Sequence, residues 1–417
     1  MVKAGALMYS ILILLIVSTI MSALLLSNYY HNRFLSQIIE YTRECDNLNS
    51  GVQWALINLD NVKEDQENIV TLFEDIDSEV NIEKRRWGGF YKVVVNSSND
   101  HNNKKMFLAG NVGFKSDDVA LVLINHTVPL SICGRTTIEG NCHVPGGRIN
   151  RATLAGMSSV NAKVTGKQIS SPMRLPEINP GYVEELKKLT KVTFTSGSSD
   201  SILYINQGFF NKDTIINSFA NKTAILLANE KLFLQNNFLK GNLIIKSSET
   251  IEISSQSYLE DIIIIAPSVR VRNDFKGQLQ IIALDSVNID QRCYLSYPSA
   301  ISIYNNKGGK IMIDDNSTVE GMVFNYSDIY VYNQDMYTSI GTRSCIRGFI
   351  YTNGIADIKG DIEGKLYAGR IQNKTSSSVY ENYLVNVSIS NLKLSNYYYS
   401  PVIFKESEPK QVIKWLF

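Results

Sequence analysis

The feature that most constrains this chain is its first sixty residues, where one apolar run passes without a break into a heptad-patterned helix. Ala6 to Leu26 carries no charge, and its only polar groups are Tyr9, Ser10, Ser18, Thr19 and Ser22. A run of about 20 residues at 1.5 Å each crosses the bilayer core. Ile38, Tyr41, Cys45, Leu48, Val52, Ala55 and Leu59 then recur three and four residues apart, the a/d spacing of a helix packed on a partner. Gly51 is the expected interruption, because glycine costs about 1 kcal/mol inside a helix. A secretory signal has a shorter apolar region, about 7–15 residues, and ends in a small-x-small cleavage site. This run is longer and leaves through Leu24-Leu25-Leu26-Ser27-Asn28-Tyr29-Tyr30. Lys3 before the span and His31 and Arg33 after it do not fix orientation by the positive-inside count. The remaining bulk, rich in Asn, Ser and Tyr, is expected outside the cytoplasm.

Two short motifs flank this helix. Lys3-Ala4-Gly5 precedes Ala6-Leu7-Met8, and Leu48-Asn49-Ser50-Gly51-Val52-Gln53-Trp54-Ala55-Leu56 follows the span. Over residues 1–60 the chain resembles the amino terminus of type IV pilin-like proteins, specifically the PilX-like minor pilins. There a basic leader ends in Gly, an apolar helix follows, and a second Gly-containing motif with an apolar-aromatic patch comes after it. The resemblance implies cleavage between Gly5 and Ala6 by prepilin peptidase and methylation of the new terminus. It implies single-pass residence in the bacterial inner membrane, then packing beside other pilin-like subunits in a filament at the cell surface. Ala6 and Ser10 stand where major pilins have Phe and Glu. Tip subunits of secretion pseudopili also lack that Glu, so the resemblance implies a minor subunit. Apolar surface that faced lipid would then face other helices, with little hydrophobic energy lost.

Net charge is +1 over 417 residues and no basic block occurs, which argues against nucleic acid as a partner. Residues 61–124 read as a linker and a small sheet, with Phe90-Tyr91-Lys92-Val93-Val94-Val95, Lys105 to Gly110 and Val119 to Leu123 as strands.

Beyond residue 125 a repeat takes over. Ile251-Glu252-Ile253, Val269-Arg270-Val271, Val287-Asn288-Ile289, Ile311-Met312-Ile313, Ile329-Tyr330-Val331 and Ile355-Ala356-Asp357-Ile358 recur, several about 18 residues apart. A second apolar element lies between them, often just after Gly241, Gly277, Gly321 or Gly348. Short strands at a fixed period predict a parallel β-helix over residues 125–375, with the right-handed form expected. A β-sandwich keeps no such register. Weaker coils fall within 128–169 and 202–234, separated by a break from Met173 to Gly181 and a short helix from Tyr182 to Leu189. Residues 376–417 are expected to cap the open end. The fold class is therefore mainly β: a long N-terminal membrane and stalk helix, a small β region, a β-helix and a C-terminal cap.

Parallel β-helices include polysaccharide-degrading enzymes, which use clustered carboxylates. Asp285, Asp290, Asp314, Asp315, Asp357 and Asp361 fall near coil corners but share no visible register, and corner Asp residues usually satisfy turn amides. No catalytic set is expected. The spacing of His126, Cys133, Cys142 and His143 matches no zinc pattern. No metal or cofactor is implied. Cys133 and Cys142 flank a turn and are a candidate disulfide in an oxidising envelope. The expected role is that of a minor pilin-like structural subunit displaying the β-helix for adhesion, with glycan or a cell surface as a partner, or for assembly. Two alternatives are a membrane-tethered β-helix that binds or degrades polysaccharide, and a bactofilin-like scaffold. Paired Asp residues beside an Arg or Lys in a groove would favour the polysaccharide reading. An end cap would count against the scaffold.

Overall fold

The structure is a computed structural model that describes residues 3–73, 79–97, 103–111, 118–154, 156–191, 201–211, 214–329, 335–375, 377–395, 397–405 and 409–416. Contacts divide the chain into two units, Met1–Glu83 with Val94–Lys105, and Lys84–Val93 with Met106–Phe417.

In the first unit, helix α1 spans Lys3–Asn58. It is long and apolar enough to cross a membrane. At 1.5 Å per residue it extends about 84 Å. All residues from Gly5 to Arg43 are exposed, and burial begins at Glu44. Gly51 does not interrupt the helix. A Cβ there would lie 2.8 Å from a Val95 methyl and 3.2 Å from a Val80 methyl, so the glycine permits close packing of helix on sheet. That packing outweighs the intrinsic penalty of a helical glycine. In the same unit strand Glu67–Thr71 pairs antiparallel with residues 79–83.

The second unit is built around a parallel β-helix with three strands per coil, here called walls one, two and three. On wall one Leu226, Ile245, Ile264, Ile281, Ile301, Val323, Ile350, Leu366, Leu121 and Cys142 pair in turn as a single ladder. All of them lie in the core. Wall two carries the Ile-x-Ile rungs. Ile251, Val269, Val287, Ile311, Thr338 and Ala356 pair successively there. The rung beside Ile311 is therefore strand Tyr337–Ile340, not Ile329-Tyr330-Val331. Tyr330 and Val331 lie outside the described residues. Glycines mark the corner between walls three and one. Gly321 has φ 147° and Gly348 φ 139°. A Cβ at either would fall 1.8 or 2.0 Å from the carbonyl oxygen of the preceding coil, on Ser299 and Gly321 respectively.

The coils do not stack in chain order. Residues 201–375 climb to the strand Asp361–Lys374, and the next wall-one rung is Leu121–Leu123, from far earlier in the chain. The same coil takes its wall-two strand from Tyr383–Val385 and its wall-three strand from Ser388–Ser390. Residues 130–170 then continue the stack outward. One coil is thus completed by two separated segments held through backbone hydrogen bonds. The segment expected as an end cap instead fills this coil. Afterwards the strand Lys410–Trp415 pairs antiparallel with residues 107–111.

Between the two series of coils, helix α2 (Pro180–Thr190) packs on the outside of strands within 258–304. Asn179 caps its start, accepting from the Gly181 amide at 2.8 Å. From Ile262 to Ala368 the outer side of wall one is buried along with its core side. Gln280 accepts from the Gly89 amide at 2.8 Å and donates to the Trp87 carbonyl at 3.0 Å. The Tyr182 and Ser302 hydroxyls bond at 2.9 Å. Phe404 packs on Phe349, Tyr351 and Tyr367 with ring centroids 5.7–6.0 Å apart.

Candidate functional site

On α1, Gly5 and Ala6 lie in the first turns of the helix. The a/d seam divides in two. Leu48, Val52, Ala55 and Leu59 are buried within the unit and Cys45 is half-buried. Ile38 and Tyr41 are 44% and 61% exposed. Where burial begins, Asn103 Nδ2 donates to Glu44 Oε2 at 2.8 Å.

The cysteines do not pair. Cys133 and Cys142 are both free, which corrects the expected disulfide. Cys142 is an inward rung of the wall-one ladder, and burial pushes its thiol up to about 12. Cys133 follows the inward residues Leu130 and Ile132 on its strand, so alternation turns it away from the core. The two side chains lie on opposite sides of their strands. Cys293 and Cys345 are also free. Cys293 faces the core, and burial raises its thiol to about 11.

At the corner after wall two the structure assembles a polar groove. Val271 pairs with Ile289 and Ile289 with Ile313, so the residues that follow them, Arg272, Asp290 and Asp314, stack on three consecutive coils. Asp290 and Asp314 therefore do share a register. The extra residues inserted between their rungs hid this in the sequence. Arg270 Nε donates to both Asp290 carboxylate oxygens at 3.1 Å. Arg272 Nε donates to Glu252 Oε2 at 2.9 Å. Arg270, Arg272, Asn273, Asp290, Gln291 and Asp314 line a cavity of about 410 Å³. Burial raises the Asp314 pKa above the ordinary carboxylate value, and the neighbouring Asp290 and Asp315 carboxylates add to the effect.

The other corner carboxylates are occupied with structural bonds. Asp315 accepts from the Thr342 amide at 2.7 Å, Asp361 from the Ser388 amide at 2.9 Å and Asp357 from the Tyr337 hydroxyl at 2.7 Å. Among the described residues no group of three His, Cys, Asp or Glu is arranged to hold a metal ion.

Compared with known proteins, the chain matches no family model, no curated protein and no solved structure.

Proposed function

We propose that this chain is a minor pilin-like structural subunit of the bacterial envelope. α1 holds it in the inner membrane before assembly and then packs beside other pilin-like helices in a type IV pilus or related filament. The β-helix is the module displayed outside the cytoplasm.

One observation supports this most directly. The exposed apolar surface of α1 is much longer than a bilayer requires. Large apolar side chains stay open from Leu7 to Tyr41, including Tyr29, Tyr30, Phe34, Leu35, Ile38 and Ile39 beyond the uncharged span. Those 35 residues rise about 52 Å, against a hydrocarbon core of about 30 Å. A plain anchor needs only the first part of that surface. Helices packed side by side use all of it.

The mass of the amino-terminal peptide from native membranes tests the reading. A chain beginning at methylated Ala6 is expected, and Gly5→Trp should abolish processing. A chain beginning at Met1, or unchanged size and surface display in Gly5→Trp, would overturn it.

A further inference from the structure

We propose that the groove on the wall-two corner is a binding site for a neutral saccharide, held through pairs of adjacent hydroxyls. The site stands on the second unit alone and does not depend on how α1 is used.

Two guanidinium groups and two carboxylates line the cavity, so the lining has no formal net charge. A small anion or cation would meet repulsion as well as attraction there and gain little over bulk water. A neutral ligand carries no such handicap.

Arg270 uses only Nε on Asp290, which leaves its two terminal nitrogens without a partner among the described residues. Asn273 Oδ1 accepts from the Gln291 amide at 3.1 Å, while its Nδ2 and the Gln291 side-chain amide make no bond among the described residues. The Asp314 carboxyl likewise has no hydrogen-bond partner among the described residues, although neighbouring charges shift its pKa. Donors and acceptors therefore line the same cavity. Each hydroxyl of a sugar is both donor and acceptor, so a pair of adjacent hydroxyls satisfies such a lining.

The groove is open to solvent, and its volume of about 410 Å³ has room for a small ligand lying along the corner. Arg270 stands on a strand and the other five groups follow the ends of consecutive rungs, where the Arg270–Asp290 and Arg272–Glu252 bonds hold the guanidinium planes in place. Hydroxyls exchange one partner for water almost evenly, so a single site binds weakly.

The test uses the full chain in a detergent without a sugar headgroup. Saturation-transfer NMR is run against neutral oligosaccharides of glucose, galactose, mannose and N-acetylglucosamine, with a galacturonate tetramer as the acidic comparison. At least one neutral oligosaccharide should bind. Arg270→Gln and Gln291→Ala should each weaken it about tenfold, as expected for loss of hydrogen bonds to a charged or fixed donor. Gln291→Ala removes a side chain with no bond among the described residues, and an unchanged unfolding midpoint separates its effect from a loss of fold. Arg292→Gln, on the same corner but outside the lining, should bind as the unaltered chain does. The proposal fails if no neutral oligosaccharide binds, if the galacturonate tetramer binds better, or if binding survives both groove substitutions.

Discussion

The outer side of wall one and the outer sides of walls two and three come from the same coils, yet they meet opposite environments. On wall one the outward residues Ile263, Ile282, Met322, Phe324 and Phe349 are at most 2% exposed. α2, the turn around Gly89 and the segment around Phe404 cover them. On walls two and three several outward residues are charged and bonded to one another. Arg347 sits between Glu320 and Glu363, at 2.8 Å from each. Tyr258 donates to Glu260 at 2.6 Å. Burial opposes ionisation of Glu260, but Tyr258, Lys240 and Lys414 outweigh it and hold the carboxyl at about 2. Solenoid strands thus need one apolar side for the core, and the second side is free to serve packing or solvent. The largest test of this difference is Phe349→Ala, which should cost about 3–5 kcal/mol as a cavity inside a double-sided wall. Chemical denaturation of the full chain reads it. A loss under 1 kcal/mol would mean that wall one is covered only loosely.

A buried cation sharpens the comparison. Lys246 points outward from wall one and donates to the Leu189 carbonyl at 2.7 Å and to the Lys191 carbonyl, both at the end of α2. Burial lowers its pKa from 10.5 to about 8. The folded chain therefore bears a cost for the charged amine below pH 8. That cost fades as pH rises towards 10.5, so stability rises across this window by roughly 2 kcal/mol. Lys246→Met should remove that rise relative to the unaltered chain when the two are unfolded at pH 7.5 and pH 10. Equal slopes would show that the amine is solvated and that α2 does not seal the wall.

The exposed walls should respond far less. Arg347→Ala removes two ion pairs, but its side chain is 45% exposed. Exposed pairs contribute about 0–1 kcal/mol. A larger loss by the same denaturation measurement would show that the charged ladder is structural and would erase the contrast with Phe349.

Much of this was readable in the residues, and the failures have physical causes. The helix announced itself through an uncharged run. The wall-two rungs did so through Ile-x-Ile pairs, and the corner through glycines that the backbone geometry requires. Runs such as Ile262-Ile263-Ile264-Ile265 also carried the mark of a strand buried on both sides. The rung Tyr337-Thr338-Ser339-Ile340 was missed because two of its residues are small and hydroxylated, while Ile329-Tyr330-Val331 looked more like a strand. The return of residues 118–170 to the far end of the stack leaves no trace in chain order. Its rungs use the same inward Leu, Ile and Val as any neighbour. The groove was hidden for a related reason: its aligned Asp290 and Asp314 are 24 residues apart, outside the common spacing.

The smallest expected effect is none at all, and it bears on that hidden stacking. If residues 118–170 continue the ladder, Cys142 must point inward while Cys133 points away, and the two thiols never meet. Denaturing the unreduced chain with an alkylating reagent should therefore label all five cysteines. Adding a reductant should leave the unfolding midpoint unchanged. Four of those thiols have raised pKa values through burial, so they should react only once the chain unfolds. If mass spectrometry instead finds three labels and a Cys133–Cys142 crosslinked peptide, the alternation assigned to these strands is wrong by one residue. A one-residue slip turns every side chain of a strand to its other face. Leu121 and Leu366 would then no longer share a ladder, and the coil built from two separated segments would have to be redrawn.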